Sequence, residues 1–168
     1  MAEIMLKGNP INTMGEIPPV GAVLGDHELT LTGADLQDVN INDFKGKRVI
    51  LNIFLSLDTS TCANSVRRFN KEVSDLENTV VLCISRDLPF AQSRFCGAEG
   101  LENVITLSEM RNLKFGEKMG LQILNGPLAG LLARAVIVLN EDLQVIYSQL
   151  VPEVTEEPDY EDVLKFFK

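Results

Sequence analysis

The sequence predicts an α/β domain built on a largely parallel sheet with helices packed against it. Three observations carry this reading. In the run Arg48 to Phe54 every residue after Arg48 is apolar except Asn52, and Thr79 to Ile84 is a similar run, the pattern of strands covered on both faces. Between them, apolar residues recur at Cys62, Val66, Phe69, Val73 and Leu76, steps of four, three, four and three that mark one buried helix face. Nearer the C-terminus, Leu131 to Leu139 and Gln144 to Leu150 flank Asn140-Glu-Asp-Leu143 and read as a hairpin of two apolar strands.

Taken in order, Ile4-Met5-Leu6, the turn Gly8-Asn9-Pro10 and Ile11 to Met14 predict a small N-terminal hairpin before Pro18-Pro19, an addition (residues 1–26) to the main fold. His27 to Thr32 and Leu36 to Ile41 alternate and predict short outer strands around Gly33-Ala34-Asp35. The two apolar runs and the helix opening at Cys62 make a strand, helix, strand unit, for which a right-handed parallel crossover is expected. A second helix is expected over Leu88 to Cys96, with Asp87 as cap, Pro89 in the first turn and Gly97 as terminator. Val104 to Leu107 is a short strand, Glu109 to Met119 a third helix with Gly120 behind it, and Asn125 to Gly130 turn material. Pro158 to Lys168 closes the chain as a helix with Tyr160, Val163, Leu164 and Phe167 inward. This order, β-α-β-α-β-α-β-β-α, is that of a thioredoxin-like sheet flanked by helices, with the N-terminal hairpin added.

The chain has 168 residues, one domain by the usual prior and enough to bury a core without disulfide or metal staples. A formal net charge of -9 disfavours nucleic acid as partner, and small neutral substrates fit better. The start, Met1-Ala-Glu-Ile-Met-Leu-Lys-Gly8, has neither a basic n-region nor a long apolar stretch, and no membrane-spanning run occurs, so a cytoplasmic protein without a membrane role is expected. Three cysteines, an odd number, suit reduced thiols better than a disulfide framework, and any disulfide would be transient and functional.

Chemistry is expected where the strand ending at Phe54 breaks into Leu55-Ser-Leu-Asp-Thr-Ser-Thr-Cys62. One of Asp58, Thr59, Ser60 and Thr61 is the N-cap, which places Cys62 in the first helical turn, where unpaired N–H groups and the helix dipole favour a thiolate over a thiol. The plain alternative is a structural cysteine on the same apolar stripe. No metal site or cofactor is indicated: Cys62, Cys83 and Cys96 are widely spaced, no C-x-x-C pair exists, and His27 is the sole histidine, in a polar turn unsuited to a Cys-His dyad. A nucleophilic cysteine must then be activated by the helix terminus and by arginine. Arg134 is the candidate, since a charge within the apolar Leu132 to Val138 needs a partner, its alternative being an ion pair at a strand end. Arg67 and Arg68 read as solvated charges on the helix face. Cys83 reads as a small core residue. Cys96, placed at a helix C-terminus, would be a poor primary nucleophile yet able to attack an oxidised sulfur.

Asp58-Thr-Ser-Thr-Cys62, Ser65-Val-Arg-Arg-Phe-Asn70, Asn78-Thr-Val-Val-Leu-Cys-Ile-Ser85 and the long block from Asp87 to Gly100 closely resemble the bacterial thiol peroxidases, which are atypical two-cysteine peroxiredoxins. The similarity runs from Gly8-Asn9-Pro10 to Glu157-Pro158-Asp159-Tyr160, nearly the whole chain. The resemblance implies that Cys62 is the peroxidatic cysteine, Thr59 the hydroxyl that contacts thiolate and peroxide, Arg134 the activating arginine and Cys96 the resolving cysteine. It further implies hydroperoxide substrates, an intramolecular disulfide reduced by thioredoxin, and a homodimer. One position departs from the family pattern Pro-x-x-x-Thr-x-x-Cys: Leu55 stands where the proline belongs, with Thr59 and Cys62 in place. Leucine can still shield the thiolate, but it does not fix φ and adds an N–H to be satisfied. The competing reading is a non-enzymatic redox-sensing or binding protein of the same fold, impaired by Leu55; a plain disulfide oxidoreductase, lacking C-x-x-C, comes third.

Overall fold

The computed structural model describes residues 1–25 and 28–167. Two strands, β1 (Glu3–Leu6) and β2 (Asn9–Asn12), form the antiparallel N-terminal hairpin, with Ile4 facing Ile11. The main sheet has seven strands: β3 (Thr30–Thr32), β4 (Asp38–Asn40), β5 (Arg48–Ile53), β6 (Thr79–Ser85), β7 (Ile105–Ser108), β8 (Ala135–Leu139) and β9 (Val145–Leu150). Their spatial order is β4-β3-β7-β6-β5-β8-β9. Strands β5, β6 and β7 run parallel, with Leu51 beside Leu82 and Leu82 beside Ile105, and the rest pair antiparallel. The apolar runs are central because β5 and β6 are covered on both faces: Val49, Ile50, Leu51, Ile53, Val81, Leu82 and Ile84 are all buried.

Helix α1 (Ser60–Val73) joins β5 to β6, and α2 (Pro89–Glu99) joins β6 to β7. Both crossovers step in the same direction across the sheet, so both helices lie on one face. The Arg67–Glu99 ion pair and the Arg67 guanidinium over the Phe95 ring tie them together there. α1 buries Cys62, Val66, Phe69 and Val73, each large apolar side chain contributing about 1.5–3 kcal/mol. Phe69 meets Tyr160 edge to face at 5.3 Å, which seats the short C-terminal helix α4 (Tyr160–Leu164) on α1. A 3-10 turn, Lys165–Phe167, follows α4, and Phe167 lies under the Arg48 guanidinium.

Four expectations are corrected. α2 does not end at Gly97: it runs to Glu99 and stops at Gly100, whose φ of 68° is the left-handed conformation that terminates helices. Cys96 therefore lies inside the last turn, its carbonyl accepting the Gly100 and Leu101 N–H groups. Asp87 is not the cap of α2; that position is Leu88, and the Asp87 carboxylate accepts from Ser56, Leu57 and Ser85 instead. The third helix, α3, spans only Lys114–Lys118. The preceding segment satisfies itself through side chains: Ser108 Oγ accepts the Met110 N–H, Asn112 Oδ1 accepts the Lys114 N–H, and the buried Glu109 accepts the Gly116 N–H. Gly120 ends α3 at φ 69°, packed so closely on Glu16 backbone that no side chain fits. Finally, the strand expected to reach Ile41 stops at Asn40, where a capping box between Asn40 and Asp43 starts a 3-10 turn. The expected strand start at His27 lies outside the described residues.

Candidate active site

The site forms where β5 hands over to α1. Thr59 is the N-cap residue, in extended backbone conformation, and Cys62 is the third residue of the helix, fully buried. Arg134 immediately precedes β8 instead of lying within it. Because β8 pairs with β5 through Ala135 opposite Ile53, the residue before Ala135 falls beside the end of β5 and the turn that follows. That register brings together side chains 72 positions apart: Arg134 Nη1 donates to Cys62 Sγ at 3.2 Å. Arg134 is 2% exposed, and among the described residues it forms no ion pair with a carboxylate. The cysteine sulfur is thus one of the few acceptors within reach of a buried cation.

The other edge of the guanidinium is anchored by backbone. Arg134 Nη2 and Nε donate to the Val154 carbonyl at 2.8 and 3.3 Å, so the fork can turn only one corner toward sulfur. The Val154 N–H in turn donates to the Met5 carbonyl, the Met5 N–H donates to Pro152, and Glu153 accepts the Gly8 N–H. The N-terminal hairpin is therefore more than an appendage; it braces the segment that aims Arg134. Leu6 and Lys7 at its tip also line a cleft of about 390 Å³, together with Leu55, Thr59, Leu128, Arg134 and Val154. Cys62 lies one contact behind this cleft, beyond Arg134. Val154, the hairpin tip and Leu128 carry no motif, and nothing in their local sequence marks them; only the fold brings them here.

Thr59 is in the cleft wall, but its hydroxyl donates to the Ser56 carbonyl at 3.0 Å and not to Cys62. With its proton directed away, the Thr59 oxygen is left as an acceptor facing the cleft. Leu55 is buried at 3% exposure and supplies apolar cover in the place of the family proline.

The three thiols are free and occupy different environments. Cys83 is buried in β6, where desolvation pushes its thiol up to about 12, offset in part by the Asn52 amide at 3.8 Å. Cys96 is half-buried on α2, and burial raises its thiol as well. Cys62 lies in the first turn of α1 and Cys96 in the last turn of α2, with Arg67 of α1 contacting Phe95 and Glu99 on either side of Cys96 and Arg94 of α2 pairing with Asp58 ahead of α1. Arg67 and Arg68 are on the outer face of α1, paired with Glu99, Glu72 and Glu161. His27 lies outside the described residues. Among the described residues, no cluster of three or more His, Cys, Asp or Glu side chains is arranged to hold a metal ion.

A Redoxin family model matches residues 15–164. A thiol peroxidase from Mycobacterium bovis is 52% identical over 164 residues, covering 98% of this chain and 97% of that protein. Among solved structures, a peroxiredoxin-like protein from Aquifex aeolicus superposes with a TM-score of 0.92 at 35% identity, covering 99% of this chain and 96% of the other. A thiol peroxidase from Chromobacterium violaceum superposes at 0.89 with 20% identity, over 99% and 95% of the two chains, a likeness of fold. A buried cysteine at a helix N-terminus facing an arginine that has no carboxylate partner among the described residues, on this fold and with these relatives, leads to one assignment: the chain belongs to the Redoxin family, as a peroxiredoxin of the bacterial thiol peroxidase group.

Proposed function

We propose that this thiol-dependent peroxidase reduces hydrogen peroxide and organic hydroperoxides through Cys62, resolves the product with Cys96, and is recycled by thioredoxin. The observation that carries the reading is the 3.2 Å contact from the buried Arg134 to Cys62 Sγ. A hydroperoxide enters the cleft and donates its O–H to Thr59 Oγ. The Cys62 thiolate attacks the terminal oxygen; the S–O bond forms as the O–O bond breaks, and the electron pair departs on the alkoxide, which takes up a proton to leave as alcohol, or as water from hydrogen peroxide. Arg134 follows the charge from sulfur to the leaving oxygen, acting as a preorganised donor in a dry site. The Cys96 thiol then attacks the Cys62 sulfenic acid, forming the disulfide and releasing water. A thioredoxin dithiol reduces the disulfide and is itself oxidised.

A disulfide requires Cα atoms within about 7 Å, and the placement of a buried Cys62 in the first turn of α1 and of Cys96 in the last turn of α2, both thiols free, supports a local unwinding of one or both helix ends during resolution. The reading extends to one domain over residues 1–168, with 1–26 as the hairpin extension, working as a cytoplasmic homodimer without nucleic acid or membrane partners. The three free thiols and the net charge of -9 support the reducing compartment and the absence of a polyanion. The test is peroxide consumption with thioredoxin and its reductase. Cys62→Ser should abolish it, Cys83→Ser should retain it, and Cys96→Ser should stop after one turnover with a trappable sulfenic acid. Equal loss in the Cys62 and Cys83 variants would overturn the assignment.

A further inference from the structure

The turn that delivers Thr59 and Cys62 is held from outside its own sequence. Asp87 Oδ1 accepts the Ser56 hydroxyl at 2.7 Å, and Oδ2 accepts the Leu57 N–H at 2.8 Å and the Ser85 hydroxyl at 2.7 Å. Ser56 passes this anchoring on. Its hydroxyl oxygen accepts the Asp58 N–H at 3.1 Å, and its carbonyl accepts both the N–H of Thr59 at 3.1 Å and its hydroxyl at 3.0 Å. Thr59 in turn accepts the Ala63 N–H through its carbonyl at 3.0 Å, closing the first turn of α1 around Cys62.

The other side of Asp87 leads to the second cysteine. Asp87 directly precedes Leu88, the N-cap of α2, and Ser85 Oγ also accepts from Gln92 Nε2, on the first turns of that helix, at 3.3 Å. Among the described residues Asp87 forms no ion pair, so its carboxylate is satisfied by two hydroxyls and one amide, and its work is local geometry, not charge neutralisation. Where a proline at position 55 would restrict the turn from within the chain, Leu55 leaves φ free, and the hydrogen bonds to Asp87 are what hold the turn.

We propose that Asp87 is a positioning residue that clamps the 56–59 turn to the head of α2, speeding sulfenic acid formation and restraining the unwinding that lets Cys96 reach Cys62. It touches neither peroxide nor sulfur. Its two effects have opposite signs on two consecutive steps. While the clamp is closed, Thr59 holds its place in the cleft wall and Cys62 its place behind it, and a misplacement of about 1 Å at such a site costs on the order of a hundredfold in rate. When resolution begins, the same bonds oppose release of the α1 and α2 ends. The inference rests on the peroxidase reading above.

The experiment is single-turnover reaction of the fully reduced protein with hydrogen peroxide, acid-quenched over time, with intact mass separating thiol, sulfenic acid and disulfide. In Asp87→Asn the carboxylate charge is lost and the amide NH2 replaces one acceptor oxygen, so it either faces the Leu57 N–H or forces the Ser56 hydroxyl to turn from donor to acceptor, and the clamp weakens without loss of volume. The expected result is sulfenic acid formation slower by about ten- to a hundredfold and its conversion to disulfide faster than in the parent. Ser56→Ala, which opens the clamp from the other side and carries the test should Asp87→Asn fail to fold, should show the same split with a smaller change. Both steps within about twofold of the parent in a folded variant, or both slowed together, would overturn the clamp. A parent protein that consumes no peroxide would overturn the peroxidase reading instead, so the two failures are distinguishable.

Discussion

Arg134→Ala removes the one cation that, among the described residues, contacts the Cys62 sulfur, and the structure sets the scale of the loss. A unit charge 3.2 Å from a thiolate is worth about 5 kcal/mol at an effective dielectric of about 20, before desolvation is subtracted. Removing one preorganised donor from an enzyme site costs about 2.7–4 kcal/mol of transition-state stabilisation, or roughly 10²–10³ in rate. The lower part of that range applies if water enters the vacated space and partly replaces the guanidinium; the upper part applies if the cleft stays dry. Arg134→Lys should fall between, because an ammonium cannot hold the Val154 carbonyl in a two-pronged contact and still reach sulfur. The alanine variant also leaves the Val154 carbonyl short of its donors, which costs about 1–3 kcal/mol of stability. For a chain of this size Tm should fall by about 2–4 °C per kcal/mol. The assay is the second-order rate of peroxide reaction with reduced protein at 25 °C, well below that Tm, read by competition with a second peroxidase. A lowered Tm with a peroxide rate within about threefold of the parent would show that Arg134 is a structural anchor and that the sulfur contact is incidental.

Four further outcomes are expected. Burial holds the Cys83 thiol at about 12, so it should resist iodoacetamide at pH 8 in the native protein and react on unfolding; rapid native labelling would refute its core placement. Because that value lies above the unfolded thiol's, the folded state keeps the proton longer, and stability should fall between about pH 9 and pH 12 by at most about 1.4 kcal/mol per unit, a slope that Cys83→Ala should flatten. Glu109 is fully buried against Arg86, whose side chain is 14% exposed and also donates to the Gly130 carbonyl and to Gln122, so Glu109→Ala should cost up to about 3 kcal/mol by leaving a largely enclosed cation unpaired; an unchanged denaturation midpoint would count against this pair as a structural element. Hydrogen exchange should show the amides of 89–99 losing protection on disulfide formation more than those of β5, and equal protection in both redox states would mean that resolution needs no local unwinding.

The central strands and α1 were legible in the sequence because their signals are local. Apolar runs such as Val49 to Phe54 and the recurrence from Cys62 to Val73 are imposed by burial of one element's own side chains, and the hydroxyl residues before Cys62 announce a helix start by their own chemistry. The motif around Cys62 and the block ending at Gly100 likewise carried the family. Helix ends were less legible: Gly97 and Gly100 are equally good terminators as residues, and only backbone conformation chose Gly100, at φ 68°. Asp87 looked like a cap because aspartate before Leu-Pro usually is one, but the turn at Ser56 and Leu57, 30 positions away, competes for its carboxylate at shorter reach. The orientation of Arg134 depended on still more distant parts. Its aim at Cys62 is set by the β5–β8 register, by the Val154 carbonyl and by the hairpin that braces Val154, three contacts between segments that carry no mutual trace in a single chain. Periodicity and capping reflect what a residue does for its own element, and so can be read from sequence. The charge environment of one buried sulfur is a sum over elements brought together by folding, and so only the tertiary structure could decide it.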